Sequence, residues 1–381
     1  MKSLNKKLAS LSRRLDPCWR LVAFALRLRR LGATTAPPQS ILVVDLHLIG
    51  DIVMLIPLLR VIRRHHPDAH LGLIAGPWSG AILGGTGLVD EFIPLRAPWV
   101  AKGRRATGLG AVIRAIRKSR ARVWDWGIDV RGDVRNILLL ALARAKRRVA
   151  YDFSGGAALL TDVIPDGGML RHIIDHHATI AEYLHMPMSE EDRIPVLRVG
   201  GRTASKAGAF RQIGFHFGAS MCLRRMPLEE ACALLLRFQN REGTRLILVD
   251  APDTRTLNAA VLERLPASFS DRIERWEGDL GEFADILNTL DEFYAMDSGP
   301  AHLAAALGID TTVFFGPQLS LVIRPIGRKV TIIERMDVRC RPCDQLRCTN
   351  PHYQECLTQI VRHLDGRLIA GSPASPQSSQ C

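Results

Sequence analysis

The sequence predicts an α/β fold made of two doubly wound, Rossmann-like domains facing a cleft, and three observations carry that prediction. Residues 41–66 open on an uninterrupted apolar run, Ile41-Leu42-Val43-Val44, then turn at Gly50-Asp51 and continue as an amphipathic helix ending in basic residues. Such a run belongs to a strand buried on both faces of a parallel sheet. Apolar strands and helical segments then alternate in two sets, parted by the stretch 198–206, which is rich in Gly and small polar residues. Finally, 381 residues are too many for one compact core and suit two α/β domains. The expected divisions are an N-terminal extension over 1–36, a first domain over 37–205, a second over 206–370 and a flexible tail over 371–381.

The extension is strongly basic. Residues 1–36 carry nine Lys and Arg against Asp16, which places +8 of the chain's formal +13 in this arm. Leu4, Leu8, Leu11 and Leu15 fall on one helical face, and after Pro17 a more apolar stretch holds Trp19, Leu21, Val22, Phe24 and Leu26. A basic amphipathic segment with a tryptophan suits the interface of an anionic bilayer. A secretory signal fits less well, because Arg27, Arg29 and Arg30 interrupt a short apolar core and no small-residue cleavage site follows. The same charge excludes little by itself, but no nucleic-acid-binding motif accompanies it and it is concentrated in one arm, so nucleic acid is not an expected partner.

In the first domain, strands are expected at 41–46, 71–75, about 91–95, 126–130 and 147–150. Asp51 stands where a strand's C-terminal end meets a helix's N-terminal end, the place where open α/β sheets bind ligands. It is either an ordinary helix cap or a candidate general base. No run of 18 apolar residues occurs; the uncharged stretch Leu71 to Val89 is broken by glycines and Pro77.

In the second domain, strands are expected at 213–217, 245–250, 272–276, 293–296 and 311–315, with a helix over 227–240. The stretch from Asp297 through Ser298, Gly299, Pro300 and His302 to Gly308 reads as a small turn feeding a helix. Proline suits the first helical turn, and Gly308 suits the stop. The free N–H groups and positive dipole of such a helix end bind anions, phosphate above all, and His302 can reach the same point. The plainer reading makes Ser298 an N-cap.

Eight cysteines are present. Cys340, Cys343, Cys348 and Cys356 are close enough in sequence to be weak candidates for a structural zinc site, although their unequal gaps match no standard finger. Cys18, Cys222, Cys232 and Cys381 suggest only thiols. The pairs His65-His66 and His176-His177 point in different directions on helices and make no metal site.

Taken together, Leu48-Ile49-Gly50-Asp51 with Pro57, the Asp129-Val130-Arg131-Gly132-Asp133 segment, Phe217-Gly218-Ala219-Ser220 with Arg224-Arg225-Met226-Pro227, and the 297–308 motif followed by Phe315-Gly316-Pro317 are similar to the family 9 glycosyltransferases. These are the heptosyltransferases of lipopolysaccharide core assembly, and the likeness runs over roughly residues 40–360. Arg224 replaces the family's usual Lys, Met226 its Trp, and Asp45 and His47 stand where many relatives carry a basic or small polar residue. The resemblance implies a GT-B fold and an inverting transfer of heptose from ADP-heptose to a lipid-linked core saccharide, at the cytosolic face of the inner membrane. It implies Asp51 as base, and Arg224, Ser298, Gly299 and His302 as ligands of the donor phosphates. Asp253 and Asp297 are weaker nucleotide-binding candidates. No Asp-x-Asp triplet occurs in the chain, so no catalytic metal and no cofactor are expected. Two alternatives stand beside this: a same-fold transferase with another nucleotide sugar or glycan acceptor, or a non-catalytic sugar-nucleotide-binding protein.

Overall fold

A computed structural model describes residues 16–25, 36–100, 108–165, 170–198, 210–343 and 347–365. The chain divides into two compact units, Met1–Pro195 and Val196–Cys381. Most of the basic arm, most of the stretch expected as a linker and the tail lie outside the described residues.

The first unit is built on β1 (Ser40–Asp45), β2 (His70–Ala75), β3 (Glu91–Pro94), β4 (Trp126–Asp129), β5 (Arg147–Ala150) and β6 (Asp162–Val163). All pairs are parallel, in the order β3-β2-β1-β4-β5-β6, with Val43 level with Leu73 on one side and Ile128 on the other. Every residue of β1 is buried, as its unbroken apolar run requires of a central parallel strand. Its helices are α1 (Asp16–Ala25), α2 (Ile49–His65), α3 (Ser79–Leu83), α4 (Leu109–Ser119), α5 (Val134–Leu142) and α6 (Ile173–Tyr183). The expected amphipathic helix α2 is instead buried along nearly its whole length from Ile52 to Ile62, because α6 packs against it. It also begins earlier than expected, at Ile49, so Gly50 and Asp51 lie inside its first turn.

The second unit carries β7 (Arg211–His216), β8 (Thr244–Val249), β9 (Ile273–Trp276), β10 (Glu292–Met296), β11 (Asp310–Phe315) and β12 (Val330–Glu334), again all parallel, in the order β12-β11-β10-β7-β8-β9. Its helices are α7 (Leu228–Leu236), α8 (Arg255–Arg264), α9 (Ala267–Ser270), α10 (Leu280–Thr289), α11 (Gly299–Ala306) and α12 (Ser320–Ile323). The helix expected to reach 240 stops at Leu236, where the chain tightens into three-residue turns closed by Phe238 N–H on the Leu235 carbonyl at 2.9 Å. Gly308, at φ 78°, terminates α11 in a left-handed conformation that a side chain would strain.

Numbered from its own first strand, each sheet has the order 3-2-1-4-5-6. Strand order therefore reverses between β1 and β4 in one unit and between β7 and β10 in the other. Ligands of doubly wound sheets bind outside the strands' carboxyl ends at such reversals.

Among the described residues no helix is long and apolar enough to cross a membrane. Helix α1 is not a detached arm. Trp19, Val22 and Ala23 pack on Ile137, Ala150, Leu159 and Leu160, while Leu21 and Phe24 on its other side are 69% and 84% exposed. The tryptophan expected at a bilayer interface thus faces the protein's own core.

Candidate functional site

In the first unit, the ends of β1 and β4 bring together Asp45, His47, Asp51 and Arg131. Asp51 is the third residue of α2, and its Oδ2 accepts the Leu48 N–H at 2.9 Å, capping the helix from inside its first turn rather than as the N-cap residue. Its Oδ1 is ion-paired with Arg131 Nη2. Arg131 Nε lies 3.5 Å from Oδ1 of Asp45, the fully buried last residue of β1. The same Asp45 oxygen accepts the His47 N–H at 3.1 Å and lies 3.3 Å from His47 Nδ1. Burial pushes Asp45 up, but the Arg131 charge and His47 outweigh it and hold this carboxyl far below its usual range. Burial likewise opposes the Arg131 cation, and Asp51 and Asp45 more than restore it.

Arg131 is presented by a tight loop after β4. Asp129, fully buried, accepts the backbone N–H groups of Arg131 at 3.3 Å and Asp133 at 3.1 Å and the Asn136 amide at 3.0 Å. Burial is the main reason its carboxyl is raised to about 7, with Asp133 adding repulsion against the Asn136 hydrogen bond. Gly132 sits at φ 63°, and a Cβ there would stand 2.9 Å from the Phe153 ring and 3.0 Å from Tyr151. Glycine is needed both for the turn and for this close approach.

In the second unit, the ends of β7 and β10 bring Arg224 to the 297–302 segment. A 3₁₀ turn, Cys222–Arg224, presents Arg224, whose Nη2 donates to the Asp297 carbonyl at 2.6 Å and lies 2.6 Å from Asp297 Oδ2. Asp297 is 3% exposed. The structure thus makes the carboxylate expected to touch nucleotide the partner of Arg224. Ser298 holds the N-cap position of α11, yet its hydroxyl donates to the Met296 carbonyl at 3.0 Å and caps no helix N–H. Pro300 has no N–H and the Ala301 N–H donates to the Ser298 carbonyl at 3.2 Å, so an anion at this turn would meet the Gly299 N–H, with no side chain on Gly299 in front of it. His302, 5% exposed, lies one turn in. Asp253 follows β8 beside Gly218 and His216: a Cβ on Gly218 would stand 2.7 Å from Asp253 Oδ2 and 2.9 Å from His216 Cε1. The neighbouring Asp250 is held by Arg275 and by Asn258 at 2.8 Å.

The four cysteines considered for zinc do not form a centre. Cys356 belongs to the hydrophobic core of the second unit, where burial pushes its thiol up to about 12. Cys340 is exposed and takes the Asn350 amide at 3.4 Å, and Cys348 takes the Gln354 N–H at 3.4 Å. Among the described residues no group of three or more His, Cys, Asp or Glu is placed to hold a metal ion. Cys222, expected as a thiol, is disulfide-bonded.

Sequence reasoning placed Asp51 and the 297–302 segment correctly at strand ends but did not connect Asp51 to Arg131. The signal was present: Asp129-Val130-Arg131-Gly132-Asp133 puts a cation at the end of another apolar strand.

Two buried histidines carry a stability consequence. Burial lowers His177, on α6, to about 4, with the Arg131 charge adding to it, and burial lowers His216 to about 4 against the opposing Asp253 charge. The unfolded chain binds these protons near the ordinary value of 6.5, so stability is fully present above that pH and lost as pH falls toward 4. The loss amounts to up to about 3 kcal/mol for each imidazole. Thermal unfolding followed from pH 8 to pH 4 is expected to show a falling midpoint below about 6.5, and His177→Gln to flatten that fall. An unchanged slope in the variant would remove His177 from the account.

A sequence profile of glycosyltransferase family 9 (heptosyltransferase) matches residues 112–354. Lipooligosaccharide heptosyltransferase 2 of Haemophilus influenzae is 20% identical over 316 residues, spanning 78% of this chain and 89% of that protein. The solved structure of E. coli ADP-heptose LPS heptosyltransferase II superposes with a TM-score of 0.66 at 18% identity, covering 86% of this chain and 99% of the other. E. coli heptosyltransferase WaaC with ADP gives a TM-score of 0.63 at 17% identity with the same coverage. These structures share the two-domain GT-B fold.

Proposed function

The chain belongs to glycosyltransferase family 9, and from that premise we propose that it moves heptose from ADP-heptose to a lipid-linked saccharide of the lipopolysaccharide core, with inversion and without a metal. The observation that carries the proposal is what each unit places at its own strand-order reversal: a carboxylate in the first, and in the second a helix start whose Ser298 hydroxyl caps no N–H, beside a held arginine. Asp51 accepts the proton of the acceptor hydroxyl as its oxygen bonds to the anomeric carbon, and the bond from that carbon to the diphosphate breaks as ADP leaves. Attack opposite to the leaving group inverts the anomeric carbon. The negative charge growing on the departing diphosphate is met by the Gly299 N–H and the positive dipole end of α11, by Arg224 and by His302. Asp297 orients Arg224, and the role proposed for Asp253 is to meet the ribose of the nucleotide.

The test is direct. Purified protein, ADP-heptose and a core acceptor are expected to yield ADP and an acceptor heavier by one heptose, with inverted anomeric configuration by NMR and undiminished turnover in EDTA. Failure with ADP-heptose but transfer from another nucleotide sugar would point to the alternative donor. Binding with no transfer at all would point to a non-catalytic role. Activity lost in EDTA and restored by Mg²⁺ would overturn the metal-free mechanism.

The N-terminal arm is proposed to hold the enzyme on an anionic membrane surface, on the cytosolic face of the inner membrane. Its nine basic residues supply attraction of about 1 kcal/mol for each Lys or Arg near the surface. Exposed Leu21 and Phe24 on α1 supply apolar area. Changing Leu21→Ser together with Phe24→Ser leaves the packed face of α1 intact and is expected to weaken binding to phosphatidylserine vesicles about tenfold. Sedimentation that does not change would assign these two side chains another partner.

A further inference from the structure

Arg131 has no part in the mechanism above, yet it is the side chain ion-paired with the proposed base. Its reach depends on topology: β1 and β4 are neighbours, with Val44 level with Asp129, so residues just beyond the two strand ends stand side by side. Asp51 is held at both oxygens, Oδ1 by Arg131 and Oδ2 by the Leu48 N–H. Two donors on different oxygens fix the plane of a carboxylate and leave each oxygen one lone pair free. Arg131 is in turn held from behind. Asp45 is fully buried and keeps its charge because Arg131 is there. The loop that presents Arg131 is clasped as well, through Asp129 on its N–H side and through Ser154, whose N–H and hydroxyl both donate to the Gly132 carbonyl at 3.1 and 2.9 Å.

We propose that Arg131 is a positioning residue for Asp51, aimed by the buried Asp45, so that the chain Asp45–Arg131–Asp51 sets the orientation in which the base meets the acceptor hydroxyl. This rests on the reading of Asp51 as the base. A cation shared by two carboxylates suits that role, since Asp45 draws on part of its charge and fixes its direction, while Asp51 stands at the strand ends. A purely structural ion pair would affect folding without acting through Asp51, and the two are separable by coupling.

The experiment compares Arg131→Gln, Arg131→Lys and Asp51→Asn, singly and with Arg131→Gln combined with Asp51→Asn, by steady-state kinetics with ADP-heptose and acceptor. Arg131→Gln is expected to lower kcat about tenfold to a hundredfold with the donor KM little changed, the scale of a misplaced reacting group. Arg131→Lys is expected to recover part of that loss. On the Asp51→Asn background, Arg131→Gln is expected to change kcat less than about threefold, since the two groups act as a unit. If Arg131→Gln is unfolded because Asp45 is left buried without its counter-charge, the pair Asp45→Asn with Arg131→Gln removes both charges and carries the same expectations. Losses that multiply, or a normal kcat in Arg131→Gln when Asp51→Asn is inactive, would overturn the positioning role and leave Asp51 as base. A normal kcat in Asp51→Asn would instead overturn the base, and the positioning role with it.

Discussion

Asp51→Asn is expected to lower kcat by about 10²–10⁴-fold, the usual worth of a positioned general base. That range corresponds to about 2.7–5.5 kcal/mol of transition-state stabilisation. The substitution is a clean one here. Asparagine keeps the side chain's size, and its carbonyl can still accept the Leu48 N–H, so the first turn of α2 retains its internal cap. Arg131 loses one of two carboxylates but keeps Asp45, so no cation is left buried without an anion. The donor contacts proposed in the second unit are untouched, so affinity for ADP-heptose measured by calorimetry is expected to stay within about threefold of the native protein. The result that sinks the assignment is a variant with near-native kcat and a lowered melting temperature: Asp51 would then be a capping residue and an ion-pair partner only.

The parts of this molecule that were legible in its sequence are those whose causes are local. The apolar run at 41–44 announces a central parallel strand, and Pro300 and Gly308 bracket α11, because burial on both faces and helix termination are decided within a few residues. Strand β6 is two residues long and β12 is a half-exposed edge, so neither leaves a strong pattern. What sequence could not give is direction. The helical stretch with Trp19 reads as a face seeking an apolar partner, and a bilayer or the protein's own core would satisfy it equally; the structure packs Trp19 on the cluster of Ile137, Ala150, Leu159 and Leu160 and leaves Leu21 and Phe24 outside. Cys356 shares a suggestive spacing with three other cysteines but is taken up by the core around Leu357 and Ile360. The Asp51–Arg131 pair depends on residues far apart in the chain that meet only because β1 and β4 are adjacent. Asp297 is the subtler case: its motif marks it as functional, and only the geometry shows that its carboxylate is spent on Arg224.

That last contact shapes the second large effect. Arg224→Ala is expected to lower kcat by about 10²-fold or more, as the loss of one donor at a developing anion does. The effect on ground-state donor affinity is expected to be smaller, because charge on the leaving diphosphate grows as the glycosidic bond breaks and a contact that strengthens on the way to the transition state appears mainly in kcat. Removing Arg224 also leaves the Asp297 carboxylate, buried and facing the same helix end, without this partner. With its arginine gone, this carboxylate beside the phosphate site would oppose the departing charge, which places the alanine variant at the severe end of the range. Arg224→Lys separates the two contributions. In the structure a single nitrogen, Nη2, serves both the Asp297 carbonyl and its carboxylate, so a lysine ammonium with its three donors can meet the same two acceptors and still present charge. Most of the activity is therefore expected to return with lysine, and very little with Arg224→Gln, which can donate a hydrogen bond but carries no charge. Equal rescue by glutamine and lysine would show that Arg224 works as a hydrogen-bonded strut for the 297–299 turn, and the cation at the leaving group would have to be sought elsewhere.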